Sequence, residues 1–169
     1  MTVRPLRYLG DPVLRTPADP VIRFDAALAR LIEDLLDTVQ EPGRAGLAAN
    51  QIGSSLAAFA YNVEGQLGYL INPSIVELEG EDDGLEGCLS VPGVTALRSR
   101  ADRALVVGVN LDGEEVTLAG TGELARCFQH EIDHLRGELY IDKLDTDERR
   151  RVLRQLNAEQ LADGGSRLR

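Results

Sequence analysis

A chain of 169 residues has the length of one domain, and its 43% hydrophobic content is enough to bury a core without covalent staples. A formal net charge of −10 excludes broad nucleic-acid binding through a basic surface, DNA included, and two cysteines are too few for a disulfide framework and point to a reducing compartment. The N-terminus has no signal-like apolar run and no stretch approaches the roughly eighteen apolar residues of a membrane span, so a cytoplasmic protein is expected.

Pro5, Pro12, Pro17 and Pro20 predict an irregular arm over the first two dozen residues. Leu28, Leu31, Ile32, Leu35, Leu36 and Val39 then recur at helical spacing, with Asp25 as N-cap and Pro42-Gly43 as the stop. The run Gly43-Arg44-Ala45-Gly46-Leu47-Ala48-Ala49-Asn50-Gln51-Ile52-Gly53 is rich in small residues. It reads either as a tight loop entering a strand or as backbone brought close to a ligand, with the Gln51 amide aimed at a developing oxyanion. Strands are expected over 56–62, 67–71, 75–79 and 103–111, and Asp112-Gly113 predicts a hairpin turn into 114–118. Between them, Glu86-Gly87-Cys88-Leu89-Ser90-Val91-Pro92 reads as an irregular extended segment.

Thr121 is placed as the N-cap of a second helix with Glu123 in its first turn. Leu124, Cys127, Phe128, Glu131, His134 and Leu135 share one broad face, and Gly137 ends it. A last helix opens with Asp145 and Glu148 in capping-box form and carries an apolar stripe at Val152, Leu153, Leu156 and Leu161. Arg149, Arg150, Arg151 and Arg154 make it locally basic, Asp163-Gly164-Gly165-Ser166 closes it, and 163–169 is expected to fray.

Both histidines fall in His130-Glu131-Ile132-Asp133-His134. Four residues apart on a helix they lie one turn above each other, so two imidazoles can close on one metal ion with Glu131 beside them as a proton carrier. A pair of surface histidines on an acidic helix is the plain alternative. A third ligand is needed, and only two thiols exist. Cys127 lies seven residues before His134, roughly 10 Å along the axis, too far for bonds of about 2.0–2.3 Å, and reads as a small core residue. Cys88 is the better ligand if its segment crosses the helix face.

Gly46-Leu47-Ala48-Ala49-Asn50-Gln51, Glu86-Gly87-Cys88-Leu89-Ser90 and Gln129-His130-Glu131-Ile132-Asp133-His134-Leu135-Arg136-Gly137 resemble the three signature motifs of the peptide deformylases. They stand in that family's order and at about its spacing, and the likeness extends to Asp11-Pro12-Val13-Leu14-Arg15 and Ile71-Asn72-Pro73. The resemblance implies an α+β fold in one domain over 1–169. Strands pack around a central helix carrying the histidine pair, with one helix before it and one after. It implies one divalent metal ion per chain, typically ferrous iron, with zinc, nickel or cobalt as substitutes, held by Cys88, His130 and His134. It also implies removal of the formyl group from the N-formyl-methionine of nascent chains, releasing formate. Matching positions assign Gln51 and the Leu89 N–H to polarise the formyl oxygen, Glu131 to carry protons, and Gly46, Leu47, Glu86 and Gly87 to border the substrate. The basic last helix then reads either as a docking element for ribosomal RNA, as the resemblance implies, or as a solvated face that offsets neighbouring acids such as Asp145, Asp147 and Glu148. One departure stands out: Arg44 replaces the first glycine of the family's first motif, which puts activity in question if that position needs positive φ or touches substrate.

A peptidase built on the same two-histidine helix takes its third ligand downstream, where Glu138 and Glu148 are the acids on offer. A structural metal site needs a fourth ligand, and Cys127 is badly placed for it.

Overall fold

Asp25 Oδ1 accepts the N–H groups of Ala27 and Leu28 at 3.0 and 3.1 Å and so starts α1 (Ala26–Val39) where expected. In the computed structural model, which describes residues 2–166 and side chains through residue 158, the chain runs on through seven strands and two more helices. These are β1 (Gly46–Ala48), β2 (Ala58–Val63), β3 (Gln66–Glu79), β4 (Asp82–Cys88), β5 (Val91–Arg100), β6 (Arg103–Val109), β7 (Glu115–Thr121), α2 (Gly122–Leu135) and α3 (Thr146–Ser166). Short 3-10 turns at Pro12–Arg15, Ala49–Ile52 and Tyr140–Lys143 complete it. The fold is α+β. Among the described residues no helix is long and apolar enough to cross a membrane.

Strands β1-β2-β3-β6-β7 form one antiparallel sheet in that order, and β4-β5 form a separate two-stranded sheet. Strand β2 is buried on both faces and shows why the layers close. Its small Ala58 and Ala60 let α1 approach with Leu28, Ile32, Leu35 and Val39. Its Phe59 and Val63 point the other way, into Phe128, Ile132 and Leu135 of α2. Rings of Tyr61 and Phe128 meet edge-on at 5.3 Å, a favoured geometry for an aromatic pair. Helix α2 is thus covered on nearly every side; Glu123 alone of its side chains is exposed.

Several expectations are corrected. The two strands over 67–71 and 75–79 are one strand, β3, with a ladder irregularity between Ile71 and Ser74. Pro73 has no N–H to give and Asn72 tolerates φ +50, so the break is a kink inside the strand. The segment 86–92 is extended as expected but mostly in paired strands: it spans the end of β4, a turn at Leu89-Ser90 and the start of β5, strands that the sequence reading missed. Inward positions of β5 include Arg98 and Arg100, which hide the alternation from a hydrophobic pattern. Thr121 precedes α2 but makes no side-chain cap; Gly122, at φ +54, turns the chain instead and donates to Asp102. Asp145 does cap α3, but Glu148 reaches across to the Leu97 N–H instead of back to the cap. Of the α3 stripe, Val152 is buried, Leu156 half-buried and Leu153 exposed. The side chain of Leu161 lies outside the described residues. Helix α3 continues through Ser166, over the stretch read as its end, and the rest of the expected frayed tail, 167–169, is likewise outside them.

Candidate metal centre and cleft

The β4-β5 hairpin lays Cys88 against the histidine face of α2. Cys88 Sγ stands 3.2 Å from His134 Nε2, and that nitrogen stands 3.2 Å from His130 Nε2. Bonds of about 2.0–2.3 Å to one ion place tetrahedral donors roughly 3.3–3.7 Å apart, so the three residues fit a single metal. Their donor atoms all lie within 4.8 Å of one another, and no other such group occurs among the described residues. Cys127 is not in it; its Sγ donates to the Ala45 carbonyl at 3.4 Å. Nor are the downstream acids, since Glu138 pairs with Lys143 and Glu148 with Arg151.

The outer nitrogen of His130 is fixed as well. His130 Nδ1 bonds Glu86 Oε1 at 2.7 Å, the carboxylate–histidine arrangement that orients a metal ligand. Glu86 in turn accepts two bonds from Arg100, at 2.6 and 3.0 Å, and one from Arg126 at 3.0 Å. Burial pushes the Glu86 carboxyl up, but Arg100 and His130 outweigh it and hold it well below the usual carboxylate range. Arg100 also bonds Asp133 at 2.6 Å, and Arg98 reaches the same carboxylate at 3.4 Å and the Tyr140 carbonyl at 2.8 Å. Burial depresses His134, with His130 adding to the effect; in His130 the bonds to Cys88 and Glu86 overcome burial and raise the pKa.

Glu131 is not part of the ligand group. It is 3% exposed, its Oε2 has no hydrogen-bond partner, and burial pushes its pKa up to about 7. A Cβ on Gly46 would overlap Glu131 Oε1 and Cys127 Sγ, so the glycine is what lets β1 pass over this carboxyl. Gln51 is locked in the 3-10 turn after β1. Its Oε1 accepts the Ala48 N–H at 2.9 Å, which forces Nε2 toward Ser90 Oγ at 3.1 Å and Cys88 Sγ at 3.8 Å. The Leu89 N–H has no acceptor among the described residues.

A cleft of about 470 Å³ opens over this site between β1 and the hairpin, bordered by Gly46, Gln51, Gly87, Leu89, His130 and Glu131. Glu86 borders it too, with its carboxylate engaged by Arg100, Arg126 and His130, whereas Leu47 is absent from the lining and fully buried in the α1 core. Arg44 is absent from the lining. It has no positive φ, and its Nη1 donates at 2.8 Å to the Thr38 carbonyl at the end of α1, so the departure from the family motif is absorbed.

The sequence reading missed the residues that brace the ligands. Tyr140 stacks on His130 at 6.2 Å and donates to the Val94 carbonyl at 3.0 Å; burial pushes its pKa up to about 12. Arg98, Arg100 and Arg126 bind the acids behind His130, and Asn50 Nδ2 donates to the His134 carbonyl at 2.5 Å. The one available signal was the alternation of Arg98 and Arg100 in a stretch for which no strand was expected.

Comparison with known proteins agrees with this geometry. A family profile described as Polypeptide deformylase matches residues 3–150. The chain is 51% identical over 162 residues to a peptide deformylase of Acidothermus cellulolyticus, covering 96% of this chain and 90% of that one. It is 49% identical over 158 residues to one from Parafrankia sp., covering 92% and 86%. Among solved structures, a peptide deformylase from Legionella pneumophila matches with a TM-score of 0.88 at 38% identity, over 96% of this chain and 98% of that one. One from Thermus thermophilus matches at 0.87 and 40%, over 95% and 97%.

Proposed function

The chain belongs to the peptide deformylase family and is an amide hydrolase that takes the N-formyl group off nascent polypeptides, and we propose that it does so with one divalent metal ion on Cys88, His130 and His134. We take that ion to be ferrous iron, with zinc, nickel or cobalt able to replace it, because a sulfur ligand beside two imidazoles suits all of them. Held there, the ion supplies a Lewis acid that brings the pKa of a water near neutral.

Each protein group then has a task. Glu131, buried and with no partner for its Oε2, takes the proton of the attacking water and returns it to the departing amine. The formyl oxygen gains charge as the water adds to its carbon, and Gln51 Nε2–H and the Leu89 N–H receive that charge. The C–N bond breaks, formate leaves, and a free amino terminus remains. Gly46 and Gly87 border the peptide where β1, an edge strand, leaves room for an added strand. Glu86 serves by fixing His130, and Leu47 supports β1 from within the core. The observation that carries the reading is Gln51 pinned by Ala48, so that a donor, and not the amide oxygen, faces Cys88.

We infer a cytoplasmic enzyme, because its nascent-chain substrates emerge there. Exposed Arg149, Arg150 and Arg154 of α3 support docking on ribosomal RNA. Formate release from formyl-Met-Ala, with none from formyl-free peptides, tests the reaction. Metal analysis of protein purified without oxygen tests the centre: Cys88→Ala should lose both metal and turnover, and Cys127→Ala should keep both. Metal retained in Cys88→Ala would sink the ligand assignment. Equal half-lives of activity with and without oxygen would exclude iron as the working ion.

A further inference from the structure

Gln51 and Leu89 must meet the same formyl oxygen, yet Gln51 lies in the 3-10 turn after β1 and Leu89 in the turn between β4 and β5, and the two sheets share no strand pairing. Between them the side-chain bond from Gln51 to Ser90 is one tie. The backbone of the N-terminal arm makes two more. The Arg7 N–H donates to the Gln51 carbonyl at 2.7 Å, and two residues on, the Leu9 N–H donates to the Ser90 carbonyl at 2.8 Å. Leu6 packs on the cluster that Ile52 and Leu89 also cover, and Leu9 on the cluster that Cys88 covers. Farther along, the Ala18 N–H donates to the Leu135 carbonyl at 2.8 Å, one residue past His134. There the arm presses so closely that a Cβ on Gly137, at φ +77, would overlap the Arg15 carbonyl. One run of chain touches all three segments that build the site.

We propose that the N-terminal arm is a clamp that sets the spacing of the Gln51 and Leu89 donors from Cys88, with Arg7 and Leu9 as positioning residues acting through their backbone N–H groups. The inference rests on the assignment of Gln51 and Leu89 as oxyanion donors. It gives the arm a catalytic consequence larger than its share of the core, since Arg7 and Tyr8 are exposed. A misplacement of about 1 Å at such a donor costs on the order of 100-fold in rate.

Proline substitution deletes an N–H together with the side chain in the full-length, metal-loaded enzyme, and Arg7→Ala, which removes only the side chain that lies over Gly53 and pairs with Asp11, should stay within about twofold of wild type. Tyr8 is the control, because its N–H makes no hydrogen bond among the described residues. Arg7→Pro and Leu9→Pro should each lower kcat by about tenfold or more, with KM within about twofold and metal content unchanged, while Tyr8→Pro stays within about twofold of wild type. In a Gln51→Ala background, Arg7→Pro should add less than about a twofold loss, because the two act through one group. If a proline variant fails to fold, the amide-to-ester form at the same residue removes only the N–H and answers the question. Equal effects at positions 7, 8 and 9, or a loss from Arg7→Pro that is undiminished by Gln51→Ala, would overturn the clamp. A Gln51→Ala enzyme with normal kcat would instead overturn the donor assignment beneath it.

Discussion

Glu131 illustrates how a single side chain trades stability for chemistry. Its pKa is raised to about 7 from an ordinary 4.5, so the folded, metal-free chain binds a proton that the unfolded chain has released between those values. The sign follows: the native state is favoured at low pH and loses stability as pH rises through that window, by on the order of 3 kcal/mol above pH 7. Glu131→Gln has no proton to lose. Its metal-free form should therefore gain on wild type as pH rises from about 5 to about 8, which thermal unfolding at the two pH values measures; a constant offset would mean that the carboxyl is not strained by burial. The same variant, loaded with metal, should keep one ion per chain and lose turnover by about 100-fold or more, the scale of a lost acid–base group. Near-normal turnover would show that another group moves the proton.

At the level of elements, the hairpin and α2 are joined by charge. Arg100 on β5 holds Glu86 on β4 and Asp133 on α2, with side-chain exposures of 5%, 3% and 8%, so removing it leaves two buried carboxylates short of a partner. Arg100→Leu is expected to cost about 3–5 kcal/mol. That corresponds to a fall in Tm on the order of 10 °C for a chain of this size. Catalytic efficiency should fall too, because Glu86 then orients His130 with one cation fewer; an unchanged Tm would mean that the network is not a structural joint. This joint is also where sequence reading ran out. α1 and α2 were legible because apolar residues recur at their period, and the ligand set because His130, His134 and Cys88 are chemically rare. β4 and β5 were not, because Asp82, Asp83, Gly84 and Gly87 look like a loop and Arg98 and Arg100 look exposed until their partners on α2 are seen. A strand whose inner face is ionic carries no hydrophobic alternation to read.

For the molecule as a whole, the proposed docking on RNA asks a chain of net charge −10 to meet a polyanion. The four arginines of α3 are not equivalent. Arg151 is engaged by Glu148 at 2.7 Å and by the Thr95 carbonyl at 2.6 Å, so it fastens α3 to β5. Arg150 lies 3.6 Å from Asp147, both strongly exposed, a pair that contributes little and exchanges readily for a phosphate. Arg149 and Arg154 are exposed as well. Arg150 and Arg154 are therefore the residues to change, and Arg151 the one to leave, since replacing it would confuse lost docking with lost packing. With Arg150→Glu and Arg154→Glu combined, co-sedimentation with ribosomes at low salt should disappear while turnover of formyl-Met-Ala stays at the wild-type rate. The wild-type association should weaken steeply as salt rises, with a slope set by the few phosphates neutralised. Equal co-sedimentation of the two proteins would mean that this face of α3 is only a solvated surface.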